Sequence, residues 1–304
     1  MILLVPLGPD AELPRLPRAT VALVALSVLA FFWTSRFDAA RAEAEEARLE
    51  RIADWTVGLL ARDRPELGEG RRRHASALDF LVADETWRDT VPEGELRTRL
   101  ERCLEERRDL RAGHPFYRWG FVPAEITLPR LLVHQFLHAD IAHLLFNMIF
   151  LWAVGGLIES LWGAGILTGL YLASGVAAAL GHAALAPGST EPAVGASGAI
   201  AGLMGFFAVA HSREPMRLAL VSALSLAPRI SFFSLPAAVF LGLWAAEQVF
   251  WTLMTTRIDV GVAFRAHLAG FGFGALAAVG LRLAVSTRDR GRRDRGGRSR
   301  RHPS

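Results

Sequence analysis

The stretch GASGAIAGLMGFFAVAHS, residues 195–212, decides how the chain is to be read. It carries no charged residue, and Gly198 with Gly202 forms the small-xxx-small face by which one membrane helix approaches another. Five further windows of the same character surround it, at 19–35, 141–161, 164–186, 232–254 and 262–285, against the roughly 20 apolar residues that a bilayer core requires. The composition agrees: 52% of the 304 residues are hydrophobic before the 28 glycines are added, well above an average soluble domain. Charged residues, 21% of the chain, crowd into 36–118 and the last eighteen positions. Such a chain reads as membrane spans with aqueous segments.

The expected fold class is therefore all-α, a polytopic membrane bundle of six transmembrane helices, with no strand-rich region and no internal repeat. Arg15 and Arg18 ahead of the first window also suit a signal peptide, but the window closes on Phe31, Phe32 and Trp33, unlike a small-residue cleavage site, so a retained span is expected. Four divisions follow: the amino terminus with its first span (1–36), a charged helical segment outside the membrane (37–117), the bundle core (118–286) and an arginine-rich tail (287–304). Within the charged segment Leu49, Ile52, Leu59 and Leu60 recur at near-helical spacing. A second amphipathic helix is expected from Pro92 through Leu96, Leu100, Leu104 and Leu110 to a stop at Gly113.

Net charge is +4, yet residues 287–304 hold eight arginines against Asp289 and Asp294. The basic balance is a property of the tail. It reads as a topology signal or an anionic-lipid contact, and no nucleic-acid partner is expected, because no aromatic interleaving accompanies it. Arg213, Arg217 and Arg229 form the other positive place, on the same side if two spans separate it from the tail. Both termini are then cytoplasmic and residues 36–140 lie outside. Cys103 is the single cysteine, so the chain can form no internal disulfide and no thiolate metal cluster.

Ser197 stands between Ala196 and Gly198 at the start of the fourth window, where free helix N–H groups and the positive end of the dipole favour a developing oxyanion. Taken alone, Gly-x-Ser-Gly fits close packing better than a nucleophile's seat. His267 in the sixth window is expensive in an apolar helix; a catalytic base and a buried histidine bonded to a carbonyl are equally good readings of it. Gly270 and Gly274 could let that helix approach Gly198 and Gly202, bringing His267 toward Ser197. His143 and Asn147, four residues apart, share one face of the second window. With the topology above, all four polar residues lie near the outer ends of their helices. Together they supply a nucleophile, a base and two oxyanion donors.

Across roughly residues 118–285 the chain resembles the rhomboid family of intramembrane serine proteases. The matching pieces are Gly120-Phe121-Val122-Pro123-Ala124-Glu125, Phe136-Leu137-His138-Ala139-Asp140, His143 to Asn147 with Gly155, Gly156 and Glu159, then Gly195 with Ser197 and Gly198, and Ala266-His267 with Gly270 and Gly274. The resemblance implies a rhomboid-like bundle with Ser197 as nucleophile and His267 as general base. It also implies an oxyanion held by the Ser197 N–H, His143 and Asn147, no cofactor, and transmembrane proteins as substrates. A bacterial inner membrane is the expected location, with the site opening outward. The chain departs from the family at Pro129-Arg130, where a Trp-Arg pair is frequent, and at Ala201, where some members carry an aromatic that supports the histidine ring. The rival reading is a catalytically silent rhomboid-like protein that binds transmembrane helices as a chaperone. A six-span transporter lacks its signs, a broken-helix repeat and an intramembrane charge pathway.

Three further groups attract notice. Glu247 is read as an interhelical hydrogen-bonding group rather than a third catalytic acid. Glu159, at the inner end of its span, reads as a helix-end anchor. His134, His138, Asp140 and His143 imitate a zinc site without the His-Glu-x-x-His pattern, so structural hydrogen bonding is expected there and no metal.

Overall fold

The computed structural model of the chain describes residues 2–9, 16–37, 39–74, 76–222, 229–254 and 264–298. They divide into a unit Thr34–Arg118 and a second unit made of Met1–Trp33 with Trp119–Ser304. In chain order the elements are β1 (Ile2–Pro9), α1 (Arg18–Thr34), α2 (Ala39–Leu60), α3 (Pro65–Arg72), α4 (Ala77–Ala83), α5 (Trp87–Thr90), α6 (Glu95–Gly113), α7 (Pro115–Trp119) and α8 (Leu128–Val133). Next come α9 (Ile141–Phe150), a single π turn Leu151–Gly155 and α10 (Gly156–Trp162), which run on as one helix. The chain then forms α11 (Ala164–Leu185), α12 (Ser197–Ala210), β2 (Pro215–Ser222), β3 (Arg229–Pro236), α13 (Ala237–Met254) and α14 (Phe264–Arg298).

Lipid is as apolar as leucine, so helices in a bilayer associate by close approach and hydrogen bonds rather than by hydrophobic drive. The larger unit follows that rule around α12. A Cβ placed on Gly270 of α14 would overlap the Gly198 carbonyl oxygen, and one on Gly274 would overlap that of Gly202. From the other side α11 sets Ala178 against Gly198 and Ser174 against Gly202. Every residue of α12 from Gly198 to Phe207 is consequently buried. By contrast, α13 buries only Ala237, Phe240, Leu241 and Gln248 and leaves Val239, Leu243, Val249, Phe250 and Leu253 exposed.

Four helices among the described residues are long and apolar enough to cross a membrane: Ile141–Trp162, Ala164–Leu185, Ala237–Met254 and Phe264–Leu283. The other two expected spans form shorter apolar helices, Arg18–Thr34 and Ser197–Ala210. Glu159 ties the first of these down. Its carboxylate accepts the Ala19 and Thr20 N–H groups at 2.9 and 2.8 Å and the Thr20 hydroxyl at 2.9 Å, satisfying orphan donors at the start of α1. The expected role of Glu159 as an anchor is met in this form.

Two expectations need correction. The fold is not purely helical, because β1, β2 and β3 form an antiparallel sheet in that order. Met216 and Leu218 of β2 point into the core of the helical bundle and face Leu235 and Phe233 across the ladder. The window 232–254 accordingly opens as a strand and becomes helical only at Ala237. A short apolar run has no period that separates strand from span, and β1 finds its partner more than 200 residues away, where no local signal exists. The arginine-rich tail from 299 onward lies outside the described residues, while the backbone before it continues α14.

The unit Thr34–Arg118 has its own core. Leu49, Ala53 and Val57 of α2 meet Leu100 and Cys103 of α6, with Leu78, Phe80, Leu81, Trp87 and Val91 filling the space between. Leu49 and Leu100 belong to the expected stripes; α6 starts at Glu95 rather than Pro92, and the short helices α3, α4 and α5 had no periodic signal. Arg107, 5% exposed, crosses this core to pair with Glu46 (2.9 Å) and Asp79 (2.8 Å), and Arg111 also reaches Glu46 (2.6 Å). Burial alone would raise both carboxyls. The Arg111 and Arg107 guanidiniums outweigh it for Glu46, as Arg107 does for Asp79, and hold both below their ordinary values.

Candidate active site

The approach to α12 is fixed by backbone. Phe121 and Ala193 exchange both of their hydrogen bonds, at 2.9 and 2.8 Å, and the Gly195 N–H donates to the His134 carbonyl at 3.0 Å. Gly195 has φ +130°, a conformation that L side chains avoid, and a Cβ there would also lie 2.8 Å from Cε1 and Nε2 of His143. Two independent constraints thus require glycine. The chain then turns into α12 with Ser197 as its first residue, where backbone N–H groups have no intrahelical acceptor.

His267 enters from α14, one turn before Gly270. Its Nε2 lies 2.8 Å from the Ser197 hydroxyl oxygen, a hydrogen bond between side chains 70 residues apart. Both residues are half-buried, so the pair borders the apolar core without being sealed in it. The close approach that Gly198, Gly202, Gly270 and Gly274 allow is what closes this distance, since a bulkier pair at either crossing would separate the helices.

His143 sits in the first turn of α9, whose start is capped by Asp140 accepting the His143 N–H at 2.8 Å. Its ring lies against Gly195, on the Ser197 side of the approach loop. Asn147 is buried one turn further on and donates to the His143 carbonyl at 2.9 Å. An amide carries two N–H groups, so this bond leaves a second donor. Serine, histidine and the His143 ring are therefore brought together; Asn147 is buried one turn beyond His143 with one donor engaged in its own helix.

The neighbouring histidines spend ring nitrogens on carbonyls. His134 Nδ1 is 2.8 Å from the Arg130 oxygen, and His138 Nδ1 is 3.3 Å from that of Phe136. Among the described residues no three His, Cys, Asp or Glu side chains gather as metal ligands. Glu247 does not bond between helices as expected. It is exposed and meets Trp251 of its own helix at 3.4 Å. The residue beside it, Gln248, is the one turned inward: its Oε1 lies 2.8 Å from His267 Nδ1. One turn earlier, Trp244 flanks the same imidazole, ring centroids 6.0 Å apart and planes at 35°. Sequence reasoning passed over both. The available signal was their i, i+4 spacing, which puts them on one face of an apolar helix.

A bundle of apolar helices that holds a serine and a histidine at one end of two glycine-packed helices defines a membrane protein with a hydrolase-like site. The Rhomboid domain model matches residues 126–283, and the chain belongs to the rhomboid family of integral membrane proteins. It is 42% identical over 76 residues to the rhomboid protease GluP of Bacillus subtilis, covering 25% of this chain and 14% of that protein. To the rhomboid protease GlpG of Pectobacterium atrosepticum it is 29% identical over 165 residues, 53% of this chain and 52% of that protein. The chain thus spans about half the length of one curated relative and about a seventh of the other.

Proposed function

We propose that this protein is an intramembrane serine protease that hydrolyses peptide bonds within or beside transmembrane segments of other membrane proteins. The observation that carries the reading is the 2.8 Å contact between His267 Nε2 and the Ser197 hydroxyl, at the N-terminus of a helix inside a rhomboid bundle. In this mechanism Ser197 Oγ attacks the scissile carbonyl while His267 takes its proton. In this reading the Ser197 N–H, the His143 ring and the second Asn147 amide proton serve as the donors that meet the developing oxyanion. His267 then protonates the departing amine, and water admitted from the aqueous side hydrolyses the acyl-enzyme by the same route. No step requires a metal or cofactor.

The topology that serves this chemistry has six spans, with α1 and α12 crossing alongside the four longer helices. Both termini and the sheet face the cytoplasm of a bacterium, and Ser197 opens outward. Residues 1–36 supply the first span, 37–117 an extracytoplasmic helical segment, 118–286 the protease core and 287–304 a cytoplasmic tail. The partners are lipid and transmembrane substrates. Support comes from the arginine distribution and from Ser197, His267 and His143 all lying near the amino-terminal ends of their helices.

Incubation with a fluorophosphonate probe and a model transmembrane substrate in detergent tests the reading. The wild type should be labelled at Ser197 and should cleave. Ser197→Ala and His267→Ala should each lose nearly all cleavage, and the double variant should be little worse, because the two act as a unit. Additive partial losses would overturn the dyad. A protein that binds transmembrane helices yet takes no label and cleaves nothing is the silent helix-binding alternative.

A further inference from the structure

Gln248 is an amide on a largely apolar helix, where a buried polar side chain without a partner is costly. It is 6% exposed, while its neighbours Val249, Phe250 and Leu253 face outward. The side chain reaches across to α14 and sets Oε1 2.8 Å from Nδ1 of His267, whose other nitrogen lies 2.8 Å from Ser197 Oγ. An amide oxygen has no proton to give, so this bond requires a proton on Nδ1. In a neutral imidazole the lone pair then resides on Nε2, facing the serine. That is the one tautomer able to accept the Ser197 proton.

We infer that Gln248 is a positioning residue for His267: it holds the imidazole in the Nδ1–H tautomer and fixes the ring's rotation toward Ser197. The inference rests on the proposed roles of Ser197 and His267 and adds a third group to them. Trp244, one turn away on α13, walls the ring at 6.0 Å. From α12 the residue one turn past Ser197 is Ala201, whose methyl reaches little, so the orientation of the base is supplied by α13. A neutral amide orients the ring without placing a second charge in an apolar bundle, where an ionised carboxylate would carry a large desolvation cost.

The full chain in detergent, assayed with a model transmembrane substrate, tests this. Gln248→Leu keeps the volume and removes the acceptor; kcat should fall by about 10- to 100-fold, the scale set by misplaced catalytic groups, with KM changed less than about twofold and the thermal midpoint retained. Gln248→Glu presents an acceptor oxygen at the same reach whether or not it is ionised, and should restore kcat to within about fivefold of wild type. Unchanged kcat in Gln248→Leu, or a loss confined to KM, would overturn the inference. A second measurement does not depend on cleavage or on the stability of the leucine variant. In ¹⁵N-histidine-labelled Ser197→Ala protein, where the serine no longer biases the ring, the His267 spectrum should report a proton on Nδ1. A spectrum with the proton on Nε2, or shared evenly, would overturn it. Should Ser197→Ala cleave as well as wild type, the protease reading falls, and the nitrogen spectrum still decides what Gln248 does.

Discussion

A hydroxyl becomes a useful nucleophile when a base stands within hydrogen-bond reach and donors wait where negative charge will appear. Ser197 and His267 meet the first condition at 2.8 Å. The second rests on His143, whose ring is pressed against Gly195, and on Asn147, which has one amide proton engaged by the His143 carbonyl. Asn147→Ala and His143→Ala should each lower kcat by something on the order of 10- to 1,000-fold while substrate binding changes little, the range expected for a lost oxyanion donor. Single-turnover cleavage set against binding of the same substrate to Ser197→Ala protein separates the two effects. Weakened binding with unchanged turnover of bound substrate would make these residues part of the entry path instead.

At the scale of elements, the crossing of α12 and α14 depends on hydrogen atoms standing where other residues have a Cβ. Gly274 abuts the backbone carbonyl of Gly202, and backbone cannot swing aside as a side-chain end can. Gly274→Val should lower the thermal midpoint in detergent, at a cost at or above the about 1–3 kcal/mol of an ordinary overpacked core, and should cut activity by moving His267 from Ser197. Gly280→Val on the same helix is the control, since nothing lies within 4 Å of a Cβ there. Equal behaviour of the two variants would show that the crossing is not the constraint. The unit Thr34–Arg118 offers a second test. Glu46 and Asp79 are held below the ordinary carboxylate values of 4.5 and 3.8, so their pairing with Arg107 stabilises the unit fully above that range and is lost as pH falls through the lowered values. Arg107→Leu should destabilise the unit at neutral pH by about 3 kcal/mol, the low end for breaking a buried pair, because both acids remain partly exposed. The buried thiol of Cys103 reports this directly in the intact protein. Its labelling by 4,4′-dithiodipyridine should accelerate on the order of 100-fold at pH 7, and the difference from wild type should shrink as the medium is acidified.

For the whole molecule the question is what the proposed bilayer protease would select. A continuous transmembrane helix keeps each carbonyl in an intrahelical bond, and freeing a backbone group in lipid costs several kcal/mol. In the proposed orientation Ser197, near the aqueous end of its helix, would attack only where the substrate unwinds cheaply. Gly or Pro introduced a few residues inside the outer end of a poor substrate's span should raise cleavage, and replacing such residues by Leu should suppress it. Mass spectrometry of the fragments should place the cut in the outer half of the span or just beyond it. Consistent cleavage in the cytoplasmic half would overturn the proposed orientation.

The residue order alone determined the membrane character, the family and the identity of Ser197, His267, His143 and Asn147 as candidates. Those depend on local properties: long uncharged runs, glycine spacing and polar residues that are costly in lipid. Tertiary structure decided what local properties cannot carry. The sheet joins β1 to β2 across more than 200 residues, and β3 runs into the apolar window 232–254 that reads as a span. Gln248 and Glu247 look alike as polar neighbours in one largely apolar helix, and only the carboxylate has the chemistry of a third catalytic acid. Only the rotation of α13 against α14 turned Gln248 inward to His267 and left Glu247 outside. Which face a helix presents is set by the packing of its neighbours, here through glycines contributed by both α12 and α14, and no single stretch of chain contains that information.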